Sequence, residues 1–273
     1  MDLSEFLGSF AWTISPSALL TFFEHGKSQH LKPTFTLHSP ETKTDYSIYI
    51  HAPDTTEQAG PWPVVVFLDG DDQFQTAIAA YKARRETNAV PPLLLVGVGY
   101  GASYAKPANR RGRDYTPTAH SDEPTSGHAA EFVDFLQFTL WPELARRFPI
   151  DDKVRGIAGH SLGSLLALYA LLREPIFFTH ALASAPSIWW DDRSILQLIK
   201  ARHDRNATLP AVLFLSVGER DTESMTSDLS QLEQQLRDAP FAKFRVISRR
   251  FPGKNHFNVL TDAFGAGLES LFG

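Results

Sequence analysis

The 273-residue chain contains no cysteine. This absence excludes disulfide bonds, zinc sites built from thiolates and cysteine nucleophiles, and it is compatible with a cytoplasmic location. The chain also has no excess of basic residues, because 26 Lys and Arg are outnumbered by 31 Asp and Glu, for a net charge of -5. A surface that binds nucleic acid needs the opposite balance, so no nucleic-acid partner is expected.

The chain has no continuous apolar segment long enough to span a membrane. The apolar patch from Phe6 to Phe23 is preceded by Asp2 and Glu5, at positions where a signal peptide carries positive charge. A Ser-Pro-Ser sequence at residues 15–17 also interrupts the patch. We therefore expect residues 1–30 to be a lid or a packing segment of the domain and not a leader or a membrane span.

Internal repeats, low-complexity segments and linkers are missing too, so residues 1–273 are predicted to form one domain. The stretches Thr34–His38 and Tyr46–Ile50 alternate apolar with polar residues, which predicts an antiparallel edge hairpin. The continuous apolar runs Val64–Leu68 and Leu93–Val98 are typical of strands that are buried on both faces.

The remaining chain alternates between strand-like and helix-like segments. This order predicts an α/β fold with a mostly parallel central sheet, an antiparallel N-terminal edge hairpin and helices on both faces. A long loop is expected between Gly99 and Gly127, which is rich in Gly, Pro, Arg and Thr. Helices are predicted at Phe74–Arg85, His128–Phe148 (bent at Pro142), Arg193–Arg202, Glu223–Arg237 and Phe257–Leu271, and further strands at Ala181–Ala185, Ala211–Val217 and Phe244–Ile247.

The strongest functional signal is the pentapeptide Gly159–Gly163, whose sequence GHSLG fits the G-x-S-x-G pattern. An apolar run that begins at Val154 and predicts a strand precedes it, and the helix-forming segment Ser164–Leu172 follows. The glycines leave room for a sharp turn, and the helix directs its N-terminal N–H groups at the serine. The pattern predicts Ser161 as a nucleophile. The alternative is an ordinary strand-to-helix turn that contains a serine.

A general base and an acid are expected in loops that follow later strands, because the carboxyl ends of parallel strands meet at one edge of the sheet. His256 follows the last predicted strand and is predicted to be the base for Ser161, with a loop-capping histidine as the alternative. Two carboxylates, of Asp221 and Glu219, follow the strand Ala211–Val217. Either one can accept a hydrogen bond from the imidazole, and Asp221 is the first choice.

Two backbone N–H groups are predicted to bind the oxyanion. One belongs to Leu162, directly after the nucleophile, and the other belongs to Asp71 in the loop after Val64–Leu68. The carboxylates of Asp69, Asp71 and Asp72 also stand together in this loop. Their spacing lacks the remaining positions of a calcium loop, so no metal site is predicted.

Four stretches, at Phe67–Gly70, Arg111–Pro117, Gly159–Gly163 and Ser184–Trp190, are shared with one known group of proteins. On these stretches the chain resembles the "Putative esterase" (esterase D-like) branch of the α/β-hydrolases, and its motifs are most similar to those of siderophore-esterase-like members. The resemblance implies an α/β-hydrolase fold and ester hydrolysis. The chain departs from the S-formylglutathione hydrolases of this branch, because it lacks the cysteine and the longer motif expected around their nucleophile.

The resemblance also implies that Arg111 or Arg113 lies near the pocket, where an arginine binds a carboxylate, catecholate or ester oxygen. The alternative is that Arg113 pairs with Asp114 and braces the long loop. Trp189 and Trp190 are candidates for the aromatic wall of a pocket that accepts aryl acids, or else for core residues.

Together these observations predict a serine carboxylesterase without a cofactor, which hydrolyses small-molecule esters of aryl or siderophore type through an acyl-enzyme. Some siderophore esterases depend chiefly on a Ser–His dyad. The resemblance therefore leaves open whether this chain needs Asp221 or Glu219 as a catalytic acid. Two other functions would use the same residues: acyl transfer to a bound alcohol, and non-catalytic binding on a hydrolase fold. The intact Ser, His and acid candidates argue against the second of these.

Overall fold

The computed structural model describes residues 31–54, 59–104 and 106–273. The predicted lid or packing segment, residues 1–30, lies outside the described residues. The strands, numbered in chain order, are β1 (Phe35–Ser39), β2 (Thr44–His51), β3 (Trp62–Phe67), β4 (Leu94–Gly99), β5 (Ile150–His160), β6 (His180–Ser184), β7 (Thr208–Gly218) and β8 (Ala242–Phe251).

Helices occur at each predicted position, and a short one lies inside the predicted long loop. No helix in the described ranges is long and apolar enough to cross a membrane. The helices are α1 (Gly70–Glu86), α2 (Arg111–Asp114), α3 (Ala129–Asp134), a π-helical segment (Phe135–Leu140), α4 (Trp141–Arg147), α5 (Leu162–Leu172), α6 (Trp190–Arg205), α7 (Glu223–Asp238) and α8 (Leu260–Phe272).

The strands form one eight-stranded sheet in the order β1-β2-β4-β3-β5-β6-β7-β8. The β1–β2 and β2–β4 pairs are antiparallel, and all other neighbours are parallel. This topology confirms the predicted α/β class with its antiparallel hairpin at one edge. It also brings the carboxyl ends of β3 and β5–β8 to the same edge of the sheet, where the predicted catalytic residues lie.

Two apolar layers cover the sheet, because its central strands present apolar side chains to both faces. Phe74 of α1 and Phe264 of α8 belong to one layer, together with Phe67 of β3. The other layer includes Leu165 of α5 and Leu229 of α7. Burial of these side chains is the main stabilising contribution to the fold, and it anchors the helices that begin at the catalytic edge.

Helix α1 begins at Gly70, earlier than the predicted Phe74. Asp69 has a left-handed backbone conformation, with φ 54° and ψ 45°, and its carbonyl accepts hydrogen bonds from the N–H groups of Asp72 (3.0 Å) and Gln73 (2.9 Å). The polar start of this helix carries no hydrophobic periodicity, so the pattern could not reveal it. The earlier start places the N-terminus of α1 directly after β3.

The predicted helix His128–Phe148 is present, but it contains a π-helical segment, Phe135–Leu140. Pro142 lies in the first turn of α4, immediately after this segment. Proline has no N–H group to donate to a carbonyl in the preceding turn, so the regular α-helical ladder cannot continue through it. The structure thus shows a change of helix type next to Pro142, and the predicted bend stays a prediction.

Candidate active site

Ser161 lies at a sharp turn between β5 and α5. Its backbone angles, φ 57° and ψ -120°, are unfavourable for a residue with a side chain. Such a conformation persists only where the surrounding structure holds it, and it is common at functional sites. Gly159 is required at this turn, because a Cβ atom there would overlap the carbonyl group of Gly163. The local structure is therefore the strand–turn–helix arrangement predicted around the serine.

The loops after β7 and β8 bring an aspartate and a histidine together. The Nδ1 atom of His256 lies 3.0 Å from Oδ2 of Asp221, whose side chain is only 1% exposed. The other carboxylate oxygen, Oδ1, accepts a hydrogen bond of 2.8 Å from the N–H group of Thr222. Because Nδ1 contacts the carboxylate, the Nε2 atom of the imidazole is the one left for proton transfer.

Backbone hydrogen bonds join these two loops and decide which acidic residue meets the histidine. The N–H group of Arg220 donates to the carbonyl of Lys254 at 2.8 Å, and that of Glu219 donates to the carbonyl of Phe251 at 3.0 Å. The Glu219 side chain is exposed. Of the two carboxylates left open by the sequence, the structure brings that of Asp221 to the imidazole.

The imidazole of His256 packs against that of His160, with ring centroids 4.5 Å apart. His160 is buried, and its Nδ1 atom lies 3.2 Å from the hydroxyl of Ser184. Burial, with smaller contributions from His256 and Arg111, lowers the pKa of His160 well below its usual value. A neutral His160 therefore supports the His256 ring without opposing its positive charge during proton transfer.

Within the part of the chain that the structure describes, the hydroxyl of Ser161 forms no hydrogen bond with His256. Its hydrogen-bond neighbour is the hydroxyl of Ser187, with the two Oγ atoms 3.4 Å apart. Catalytic hydrogen bonds are often absent or long before substrate binds, so the distance between nucleophile and base is expected to shorten in the complex.

The predicted oxyanion donors belong to the first turns of two helices. Leu162 is the first residue of α5, and Asp71 is the second residue of α1. N–H groups in a first helical turn have no acceptor within the helix, so both are available to a ligand. The two helix starts are in contact, because a Cβ atom at Gly163 would lie 3.2 Å from Oδ2 of Asp69. The carboxylate of Asp71 is turned away and accepts a hydrogen bond from Tyr49 at 2.6 Å.

Arg111 forms a two-point ion pair with Asp69. Its Nε and Nη2 atoms lie 2.8 and 3.0 Å from the carboxylate oxygens, and the guanidinium also stacks over the rings of Tyr104 and Tyr115. Burial raises the pKa of the Asp69 carboxyl, and the adjacent Arg111 opposes this effect. The pair fixes Asp69, the residue directly before helix α1, which contains the predicted oxyanion donor Asp71. A substrate contact of Arg111 stays a prediction.

Arg113 occupies a different position, against β2, the strand next to the edge strand β1. Its guanidinium contacts the buried carboxylate of Asp114 at 2.6 Å and the hydroxyl of Thr44 at 2.9 Å. Asp114 also accepts hydrogen bonds from the hydroxyls of Tyr46 (2.7 Å) and Tyr100 (3.0 Å). The donors of Arg113 are therefore directed at protein acceptors, as in the alternative that this arginine pairs with Asp114 or braces the long loop, and a substrate contact of Arg113 stays a prediction.

Replacement of Arg113 by alanine is expected to lower the free energy of unfolding by about 3 kcal/mol, because it leaves the carboxylate of Asp114 buried without its cation. Urea unfolding of the purified variant measures this change. We expect KM for ester substrates to remain close to that of the wild type. An unchanged free energy of unfolding with a strongly raised KM would contradict the bracing role and would favour a role of Arg113 in substrate binding.

The two adjacent tryptophans have different environments. Trp190 is 8% exposed, and its indole N–H donates to the carbonyl of Thr118 at 3.2 Å, so it is largely a core residue. Trp189 is 42% exposed. Phe257, the neighbour of His256 in the chain, is 55% exposed. Large exposed aromatic side chains next to a polar site are typical of ligand-binding surfaces.

The three carboxylates after β3 are held by protein donors and not arranged around a common point. Asp69 pairs with Arg111, Asp71 accepts from Tyr49, and Asp72 accepts from the N–H group of Tyr104 at 3.2 Å. Burial raises the pKa of Asp72 to about 6. Within residues 31–54, 59–104 and 106–273, no group of three His, Asp or Glu side chains is arranged to hold a metal ion.

Sequence reasoning overlooked two contacts of the site. The Asp69–Arg111 pair joins residues that lie far apart in the chain, and no local pattern reports it. Ser187 contacts the nucleophile because the loop after β6 returns to the turn at Ser161. The signal for Ser187 in the sequence is its position in the shared stretch Ser184–Trp190.

The chain is similar to known proteins in sequence and in structure. The family model described as "Putative esterase" matches residues 39–261. Ferri-bacillibactin esterase BesA of Bacillus subtilis is 33% identical over 236 residues, which cover 79% of this chain and 80% of that protein. The siderophore triacetylfusarinine C esterase of Aspergillus fumigatus is 34% identical over 253 residues, which cover 82% of this chain and 86% of that protein.

A solved structure, that of the BES protein from Bacillus cereus, is similar to this chain with a TM-score of 0.75 and 28% sequence identity. The likeness covers 89% of this chain and 97% of the other. Together with the family match, it confirms the predicted α/β-hydrolase fold.

Proposed function

The chain belongs to the family described as "Putative esterase" and is a hydrolase that acts on ester bonds. From this premise we propose that it is a serine carboxylesterase that cleaves siderophore-type or other aryl esters through an acyl-enzyme. Ser161 is the proposed nucleophile, His256 the general base and Asp221 the acid that orients it.

The observation that carries this proposal is the partly buried hydrogen bond of 3.0 Å between Asp221 and His256, at the same edge of the sheet as the strained turn of Ser161. A carboxylate in this position fixes the imidazole tautomer and stabilises the imidazolium that forms during the reaction. The three residues follow β5, β7 and β8 in the order Ser, acid, His, which is the order of the α/β-hydrolases.

In the proposed reaction, the Oγ atom of Ser161 attacks the ester carbonyl carbon while its proton moves to Nε2 of His256. The N–H groups of Leu162 and Asp71 bind the oxyanion of the tetrahedral intermediate. The intermediate then expels the alcohol, which takes the proton from His256. Water repeats the sequence on the acyl-enzyme, with His256 again acting first as base and then as acid, and releases the carboxylic acid.

Two exposed aromatic side chains support an aryl-bearing substrate. Phe257 packs edge-on against the ring of His256, with centroids 5.5 Å apart. Trp189 follows closely after Ser187, whose hydroxyl lies 3.4 Å from that of Ser161. The two relatives described above are named as siderophore esterases. These features favour a substrate that places aromatic or other flat groups against Trp189 and Phe257 while an ester carbonyl reaches Ser161.

A hydrolysis panel tests the substrate proposal. Short and long p-nitrophenyl esters, feruloyl esters and a catecholate trilactone are compared, and we expect the highest kcat/KM for the trilactone. Replacement of Trp189 by alanine is expected to lower kcat/KM about two- to tenfold for the trilactone and to leave p-nitrophenyl acetate nearly unchanged, because an aromatic contact contributes about 0.5–1.5 kcal/mol.

Phe138 provides the matched control, since it is 61% exposed and lies on the π-helical segment. The next residue, Thr139, hydrogen-bonds to Glu41 in the turn between β1 and β2, at the edge of the sheet formed by β1. Phe138→Ala is expected to behave as the wild type with every ester. Turnover restricted to short p-nitrophenyl esters would contradict the siderophore proposal and leave a general esterase. Formation of a new ester in the presence of added alcohols would instead indicate acyl transfer.

A further inference from the structure

The loop after β6 places a second buried serine beside the proposed nucleophile. Ser187 is 1% exposed, and its Oγ atom lies 3.4 Å from that of Ser161. Among the described residues, Ser161 is the hydrogen-bond partner that the structure gives to this hydroxyl. A buried hydroxyl needs a partner, because an unsatisfied polar group costs free energy, so the contact has a physical reason to persist.

Backbone hydrogen bonds hold Ser187 in this position. Its N–H group donates to the carbonyl of Ser161 at 3.2 Å, and its own carbonyl accepts from the N–H group of Trp190 at 3.2 Å. Ala185, two residues earlier, has a positive φ of 45° and donates its N–H group to the carbonyl of Ser216 at 2.7 Å. Hydrogen bonds to both the N–H and the carbonyl group of Ser187 therefore fix this loop. They hold it although the positive φ of Ala185 is unfavourable for a residue with a side chain.

We propose that the Ser187 hydroxyl is a hydrogen-bond donor to the Oγ atom of Ser161 and raises the reactivity of this nucleophile. The inference rests on the proposed serine-esterase function. A hydroxyl in this position donates one hydrogen and accepts others. When Ser187 donates, the hydrogen of Ser161 is released from the pair and is available to His256.

The step balances without any further reactant. As Ser161 attacks the carbonyl carbon, its proton moves to Nε2 of His256 and the carbonyl electron pair moves onto the oxygen held by Leu162 and Asp71. Ser187 keeps its own proton throughout. Its hydrogen bond strengthens while negative charge develops on Oγ of Ser161, because hydrogen bonds to charged acceptors are shorter and stronger than neutral ones.

The same contact acts again when the acyl-enzyme breaks down. The Oγ atom of Ser161 is then the leaving oxygen, and it carries partial negative charge until His256 returns the proton. The resting distance of 3.4 Å is longer than that of an ordinary O–H···O hydrogen bond, about 2.5–3.0 Å, so the contact is weak in the ground state and can shorten as charge develops on Oγ of Ser161. Ser187 therefore favours the transition states over the ground state, which is the condition for an effect on kcat.

The test compares Ser187→Ala with a matched control, Ser216→Ala. Ser216 is also buried and lies on the adjacent strand β7, but its hydroxyl has no hydrogen-bond partner among the described residues. The rate of covalent labelling by a fluorophosphonate probe measures nucleophile reactivity, and kcat, KM and Tm are measured in parallel. For Ser187→Ala we expect labelling and kcat to fall about tenfold or more with KM and Tm nearly unchanged. For Ser216→Ala we expect no change in labelling.

The outcomes separate a failure of this inference from a failure of the proposed function. Labelling of Ser187→Ala at the wild-type rate overturns the donor role, while the nucleophile assignment stands if Ser161→Ala blocks labelling. A fall in Tm that accounts for the lost activity, with a normal labelling rate in the folded fraction, assigns Ser187 a packing role and also overturns the inference. Labelling of the wild-type protein at a residue other than Ser161 overturns the proposed function and this inference together.

Discussion

Replacement of Ser161 by alanine is expected to reduce kcat for ester hydrolysis by about 10⁴-fold or more, with little change in KM. No acyl-enzyme can form without the Oγ atom, so kcat falls. The oxyanion donors and the exposed side chains of Trp189 and Phe257 remain, so substrate binding changes little. Steady-state kinetics with a p-nitrophenyl ester and with the preferred substrate measure the loss. A fluorophosphonate probe should leave the variant unlabelled.

The strained backbone at this position supplies a control for folding. Ser161 has a φ of 57°, which glycine adopts without the steric cost that alanine retains. Ser161→Gly removes the same hydroxyl, so it should be as inactive as Ser161→Ala while unfolding at the same or a higher temperature. Equal activity loss in two folded variants of different stability would assign the effect to the missing nucleophile. Retention of a tenth of wild-type activity by either variant would contradict the assignment.

The sequence was sufficient for the features that depend on local pattern. Continuous apolar runs predicted the buried parallel strands, and the pentapeptide at Gly159–Gly163 predicted the turn because a tight strand-to-helix connection needs glycine where Cβ atoms would collide. The order of Ser161, the acidic loop and His256 followed from strand order alone. These predictions rest on chain connectivity and sterics, which a single sequence records directly.

Features that depend on which side chains meet across the sheet edge were not predictable. The pairing of Arg111 with Asp69, the hydrogen bond of Arg113 to Thr44, and the contact of Ser187 with Ser161 each join separate segments. Their formation depends on loop conformation and burial, and neither leaves a periodic signal. The start of α1 at Gly70 could not be predicted for a related reason. Its first turn is polar and is stabilised by its position after β3, so it carries no periodic pattern.

The choice between the two acidic candidates illustrates this limit. Asp221 and Glu219 lie in one loop and are chemically similar, so the chain alone ranks them weakly. The backbone hydrogen bonds of Glu219 and Arg220 to the loop after β8 fix the orientation of this segment. As a result the Asp221 side chain is 1% exposed and faces His256, while that of Glu219 is exposed to solvent.

Replacement of Asp221 by asparagine is expected to lower kcat about 10³- to 10⁴-fold with little loss of stability. The amide of asparagine can donate a hydrogen bond to Nδ1 of His256, which forces the imidazole proton onto Nε2. An imidazole that already carries a proton on Nε2 cannot accept one from Ser161. Steady-state kinetics of the purified variant, with Tm as the check on folding, measure this effect.

Glu219→Gln is the matched control, because it makes the same change from carboxylate to amide in the same loop without contact to His256. We expect its kcat to equal that of the wild type. A loss of less than tenfold in Asp221→Asn would mean that Ser161 and His256 suffice as a dyad, and Asp221 would then be a residue that only anchors the loop. A large loss in Glu219→Gln with an active Asp221→Asn would transfer the role of the acid to Glu219, and would require this loop to turn over before catalysis.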